Sequence, residues 1–226
     1  NGWFVERTFS QTLRSLQRID DGNLILFFSL DGPEEIHDQI RGEGSYSRVL
    51  RCFERLRPLQ QLYPNLYLNI VTTVTPDNAT SMPTFVADIL DELKPNALSI
   101  NLFRYHSLDH PPIPTEVIDS YEEATEIYSN HLTQGSVAHY GFVGKSILAV
   151  KEVVQKELIL EVARDDKFVT PCTAGSLSYV INEDGSVAAC EILDPEQNLG
   201  CLSGTQRSGA PLGEQKSDGG AVAVAL

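Results

Sequence analysis

Leu24-Ile25-Leu26-Phe27-Phe28-Ser29-Leu30-Asp31-Gly32-Pro33 is the stretch on which the fold turns. Its first five residues are apolar without interruption, at the length of a strand rather than of a helix, which predicts a parallel strand covered on both faces. Ser29 and Asp31 then bring polar groups in at the carboxyl end of that strand, and Asp31-Gly32-Pro33 is turn chemistry.

Working outward, the same alternation continues in both directions. Upstream, Glu6 to Arg18 carries Phe9, Leu13 and Leu16 on one stripe and predicts a helix that Asp20-Asp21-Gly22 ends. Downstream, Ser45 is the expected N-cap of a helix burying Tyr46, Val49, Leu50, Phe53 and Leu56 as far as Pro58. Leu66 to Val74 reads as the next strand, and Thr75-Pro76-Asp77-Asn78 as a turn. A helix with Phe85, Val86, Ile89, Leu90 and Leu93 on its apolar side and a strand from Ala97 to Phe103 follow. Thr115 or Ser120 starts a helix holding Tyr121, Ala124, Ile127 and Tyr128, and Lys145 to Leu160 reads as another. Strand and helix alternating in this way specify an α/β fold around a parallel sheet.

After Arg164 the pattern changes. Leu177 to Ile181 and Ser186 to Ala189 flank Asn182-Glu183-Asp184-Gly185, which predicts a β-hairpin in a separate small module beginning near residue 166. From Leu202 onward Gly, Ser, Ala and isolated charges dominate, a low-complexity tail. The expected division is therefore residues 1–165, 166–200 and 201–226.

The chain carries 31 acidic and 17 basic residues among 226, a formal charge of −14, so its surface repels phosphate backbones and anionic membranes. Neither nucleic acid nor membrane is an expected partner. No apolar run approaches the roughly 20 residues that cross a bilayer and no leader pattern opens the chain, which makes the cytoplasm the expected location. Four cysteines, at 52, 172, 190 and 201, are too few and too scattered for a disulfide framework and point to reduced thiols. Phosphate-loop, zinc-protease and serine-hydrolase motifs are missing, and the five histidines stand apart from one another, expected to be solvated or satisfied locally.

In parallel βα folds ligands gather where the strands end, so the residues closing the apolar runs are the candidates. Ser29 and Asp31 together suit a ribose diol, or else simply turn the chain. Arg41, ten residues beyond Asp31, has the fixed fork of donors that grips a carboxylate, although a lone arginine is more often a surface charge or a partner for Asp38. Cys172 and Cys190 flank the hairpin and are either cluster ligands or two ordinary thiols. Cys52, between Val49 and Phe53, reads as core filler, and Cys201 borders the tail with no support for a ligand role.

The fifteen residues from Phe28 to Gly42, followed by Gly44-Ser45-Tyr46, closely resemble the fourth-strand motif of radical S-adenosylmethionine enzymes. Cys172-Thr173-Ala174-Gly175, then Asp184-Gly185, then Cys190 resemble the opening of a SPASM or twitch auxiliary-cluster domain, and Asn1-Gly2 resembles the end of the family's third barrel strand. The resemblance implies a partial (βα) TIM-type barrel over residues 1–165 and a small hairpin domain after it. It implies that Ser29 contacts the ribose of S-adenosyl-L-methionine, Arg41 its carboxylate and Leu102 its adenine, with Asp31 shaping the loop. It makes Cys172 and Cys190 ligands of an auxiliary [4Fe-4S] cluster, and the whole an iron–sulfur oxidoreductase or maturase. Such an enzyme generates a 5′-deoxyadenosyl radical to modify a peptide or protein substrate.

The sequence also departs from the family. The Cys-x(3)-Cys-x(2)-Cys motif and the glycine-rich second-strand motif are absent, so the chain as given is expected to be a truncated, inactive piece of such an enzyme. Missing strands would leave edges unpaired and favour self-association. Two further readings remain: a non-catalytic peptide-binding module derived from the same fold, and an unrelated aldolase-like barrel in which Ser29 and Asp31 only turn the chain.

Overall fold

The computed structural model describes residues 4–105, 111–133, 145–165, 169, 173–182, 184–190 and 199–201. The chain divides into two compact units, Asn1–Phe103 with Ile113–Leu160, and Arg104–Pro112 with Glu161–Leu226.

The first unit is mixed α/β. Its elements are α1 (Val5–Leu16), β1 (Leu24–Ser29), α2 (Glu34–Arg41), α3 (Ser45–Leu56), α4 (Leu59–Leu62), β2 (Leu66–Val74), α5 (Met82–Asp88), β3 (Leu98–Leu102), α6 (Thr115–Thr133) and α7 (Lys145–Asp165), the last running on into the second unit. The strands form a parallel sheet in the order β1-β2-β3, with Phe28 beside Ile70 and Thr72 beside Ile100. Each new strand is added on the same side of the last, and right-handed crossovers then place the connecting helices on one face.

Burial follows that geometry. Phe28, Leu68, Ile70, Thr72 and Val74 are buried on the covered face, where Phe28 meets Phe53 of α3 edge-on at 5.9 Å. The alternate residues Ile25 and Phe27 are 38% and 51% exposed, so the expectation that β1 is covered on both faces fails. An all-apolar strand cannot report which of its faces is covered, because the usual alternation is missing. Cys52 is fully buried in the α3 core as expected, and burial pushes its thiol pKa up.

Three local features depart from the sequence reading. First, α2 was not foreseen, although Pro33, the acidic first turn Glu34-Glu35 and Gly42 at φ +99° are its start and stop signals. Second, Ser45 does not cap α3: Gly44, at φ +72°, holds the cap position and Ser45 is the first helical residue. The cap comes from Asp38 of α2, whose carboxylate accepts from Gly44 N (2.6 Å), Tyr46 N (2.8 Å) and Ser45 Oγ (3.0 Å). Third, the helix after β2 is split: α5 widens into a π turn over Ile89–Leu93 and stops where Lys94 takes φ +45°.

In the second unit β4 (Val180–Ile181) and β5 (Ser186–Ala188) are antiparallel, and Gly185 N–H closes the turn on the Asn182 carbonyl at 2.9 Å. A further strand, β6 (Gly200–Cys201), pairs with β5 and was not foreseen. Leu177 was expected in the hairpin but lies in a tight turn ahead of it, where Gly175 N–H donates to Ser178 O at 2.9 Å. Among the described residues no helix is long and apolar enough to cross a membrane.

Candidate functional site

The carboxyl end of β1 is organised around Asp31, which is 3% exposed. Four groups hold it. Its N–H donates to His37 Nδ1 at 3.0 Å, and its carbonyl accepts from Asn78 Nδ2 at 2.8 Å. One carboxylate oxygen, Oδ1, accepts from the Thr73 N–H of β2 at 2.9 Å, and the other accepts from Arg41 Nε of α2. Gly32, next in the chain, sits at φ +137°, and a Cβ there would meet Ile36 Cγ2 at 3.3 Å. The turn needs glycine both for its backbone and for the close approach of α2.

Asn78 ties the same turn to the end of β2. Besides the Asp31 carbonyl, its Nδ2 reaches Thr73 O at 2.8 Å, while Oδ1 accepts from Thr75 N at 2.7 Å. The segment from Thr75 to Asn78 is therefore a clamp between two strand ends as well as a turn. Nothing in the sequence marks this, because Asn in a turn has an ordinary local explanation.

Arg41 pairs with Asp31, ten residues away, and not with Asp38, whose carboxylate serves the α3 N-terminus. Those backbone donors, that of Tyr46 first, hold the Asp38 pKa below its ordinary value, against the opposing effect of desolvation. The Arg41 side chain is 39% exposed, and its Nη groups have no acceptor among the described residues. A guanidinium fixed through Nε presents the rest of its planar fork to an incoming anion.

Ser29, the last residue of β1, is half-buried on the sheet face opposite Phe28, with Val71 and Ser99 in register, and its hydroxyl has no partner among the described residues. Thr73 and Asn101 continue that face toward the strand ends. Leu102 does not join Ser29. It lies beside Val74, and the alternation along β3 puts its buried side chain on the helix-covered face.

His37 was expected, with the other histidines, to be solvated or locally satisfied. It is fully buried. Its Nδ1 is satisfied by Asp31, but its Nε2 has no hydrogen-bond partner among the described residues. Burial holds its pKa below the ordinary histidine value. His37 directly follows the polar, exposed pair Glu34-Glu35 and Ile36, so the local sequence gives no sign of its burial.

Of the two expected metal ligands, Cys172 lies outside the described residues, and Cys190 is half-buried with a free thiol. Among the described residues no three His, Cys, Asp or Glu gather as a metal site would require. Away from the Asp31 turn, a small cleft of about 110 Å³ between β3, α6 and α7 is lined by Ser99, Asn101, Thr125, Ser129, Gln155 and Lys156.

In comparisons with family models, with curated proteins and with solved structures, the chain matches none.

Proposed function

We propose that the turn after β1 is the S-adenosyl-L-methionine site of a radical S-adenosylmethionine enzyme of which this chain is a part. The observation that carries the reading is Arg41, held through Nε by the buried Asp31 carboxylate and left with open Nη donors beside the end of β1. That arrangement suits a ligand carboxylate, taken bidentately, while the Ser29 hydroxyl suits a ribose oxygen. Asp31 is a positioning residue in this reading, because both of its carboxylate oxygens are already engaged. Leu102 is not used for the adenine, since it faces the helices.

Strands added in sequential order, with Phe28, Ile70 and Val74 on one sheet face and Ser29, Thr73, Ser99 and Asn101 on the other, support a partial βα barrel whose interior is that second face. The donor set fits the cofactor's carboxylate and ribose. When bound beside a reduced [4Fe-4S] cluster, S-adenosyl-L-methionine supplies a 5′-deoxyadenosyl radical, here directed at a peptide or protein substrate. The residues of this chain bind and orient it. The three-cysteine motif for that cluster is not in the sequence, and the described residues do not assemble an auxiliary site. The exposed Ile25 and Phe27 also support association of the chain with itself or with the remainder of a barrel.

Equilibrium dialysis of the chain against S-adenosyl-L-methionine tests the reading. The expected result is saturable binding that Arg41→Gln weakens roughly tenfold to a hundredfold, the loss of a charge-assisted pair. Binding unchanged by Arg41→Gln, or no binding at millimolar ligand, would overturn it.

A further inference from the structure

We infer that His37, as a neutral imidazole, is a positioning residue for the anion-binding arginine, and that its protonation releases the arginine. The inference rests on the reading of Arg41 as the ligand-carboxylate donor for its functional meaning, but its structural part stands by itself.

Nδ1 of His37 accepts the Asp31 N–H at 3.0 Å, so in the neutral ring the proton sits on Nε2. Nε2 is buried without an acceptor among the described residues, an arrangement that leaves one donor unsatisfied while Nδ1 stays an acceptor. The alternative tautomer would set two donors against each other. Protonation would do the same, because the cation carries a proton on both nitrogens.

The surroundings reinforce this. The groups facing the ring are Asp31 from the turn, Asp38 and Arg41 from α2, and the Tyr46 ring of α3, edge-on at 5.8 Å. Asp31 and Asp38 favour the cation, but their carboxylates are committed, one to Arg41 and Thr73, the other to the α3 N-terminus. Burial outweighs them and keeps the ring neutral. The chain of contacts then runs from His37 to the Asp31 backbone, and from the Asp31 carboxylate to Arg41. Breaking the first link frees the turn that aims the last.

The sign of the pH effect follows. A histidine with a lowered folded pKa is neutral in the folded chain while the unfolded chain takes up a proton below about 6.5. Its contribution is complete above that pH and is lost as the pH falls toward the folded value.

Two variants separate positioning from mere packing. His37→Asn keeps an acceptor where Nδ1 stood and cannot titrate, whereas His37→Ala removes the acceptor. The Arg41 Nε–H signal is followed by NMR from pH 8 to pH 4.5, with S-adenosyl-L-methionine affinity measured in parallel and circular dichroism reporting the fold. The expected result is an Arg41 Nε–H protected from exchange at neutral pH in the native chain and in His37→Asn, and exchanging at least tenfold faster in His37→Ala. In the native chain protection and affinity fall together in acid while the fold persists, and in His37→Asn they do not. Equal Arg41 protection in all three proteins, or an imidazole ¹⁵N spectrum showing Nδ1 protonated at neutral pH, would overturn the inference. Absence of ligand binding with the Arg41 pattern intact would instead count against the cofactor reading alone.

Discussion

Replacing Asp31 tests the wiring of the site most sharply, because the two obvious variants remove its contacts one at a time. Asp31→Asn keeps a carbonyl oxygen for the Thr73 N–H at 2.9 Å but sets an amide donor against Arg41 Nε. A hydrogen bond between charged groups contributes about 1.5–3 kcal/mol. Arg41 is 39% exposed and recovers part of that from water, so the expected cost is about 1–2 kcal/mol. Asp31→Ala also leaves the half-buried Thr73 N–H without its acceptor, which adds about 1–2 kcal/mol for a total near 2–4 kcal/mol. With a urea dependence of about 2 kcal/mol per molar, the midpoint should fall by about 0.5–1 M for Asp31→Asn and by about 1–2 M for Asp31→Ala. Urea unfolding followed by circular dichroism measures both. A double-mutant cycle with Arg41→Ala should return a coupling of about 1 kcal/mol. Midpoints for both Asp31 variants within about 0.2 M of the native chain, or a coupling near zero, would mean that Asp31 does not hold Arg41 and Thr73 in solution.

Other positions make narrower predictions. Gly32→Ala must adopt φ +137° and place its methyl 3.3 Å from Ile36 Cγ2, so a loss of about 1–3 kcal/mol is expected in the same urea assay, and a neutral result would mean the turn relaxes. Asn78→Ala removes one acceptor and the donor to two carbonyls, for an expected loss of about 2–4 kcal/mol, and Asn78→Asp should rescue none of it because its carboxylate would face those carbonyls. Asp38, whose folded pKa lies below its ordinary 3.8, contributes stability above that pH and loses it as the pH falls through the folded value. Thermal melting of Asp38→Asn between pH 2 and 5 should therefore show a lower melting temperature at pH 5 and a shallower acid slope than the native chain, and parallel slopes would contradict the capping role.

Much of the fold was legible because hydrophobic period carries over long elements. Leu66–Val74 emerged with its predicted bounds, and α1 and α3 lie close to theirs, since each has a clear stripe or run. The eight-residue α2 was missed because its sequence is mostly polar and its only buried residue is His37, so period alone had little to register. The covered and open faces of β1 were indistinguishable in a run of five apolar residues. At the site, residue type identified Ser29, Asp31 and Arg41 as polar groups at a strand end, but not which groups pair. The Asp31–Arg41 contact needs α2 to turn back over the strand, and the contribution of Thr73 is a backbone N–H from another strand, 42 residues away, which no side-chain pattern reveals. Leu102 was placed by analogy with a strand end, and one residue of register decides its face.

In the proposed site Arg41, aimed by Asp31, and Ser29 receive one nucleoside-bearing ligand at the end of β1. Its most direct test is an NMR titration of the isotopically labelled chain with S-adenosyl-L-methionine. Saturable shifts of the Arg41 side-chain resonances and of the Ser29 to Gly32 amides are expected, with one shared dissociation constant. Shifts confined to other regions, or an Arg41 signal that stays put while ligand binds elsewhere, would contradict it.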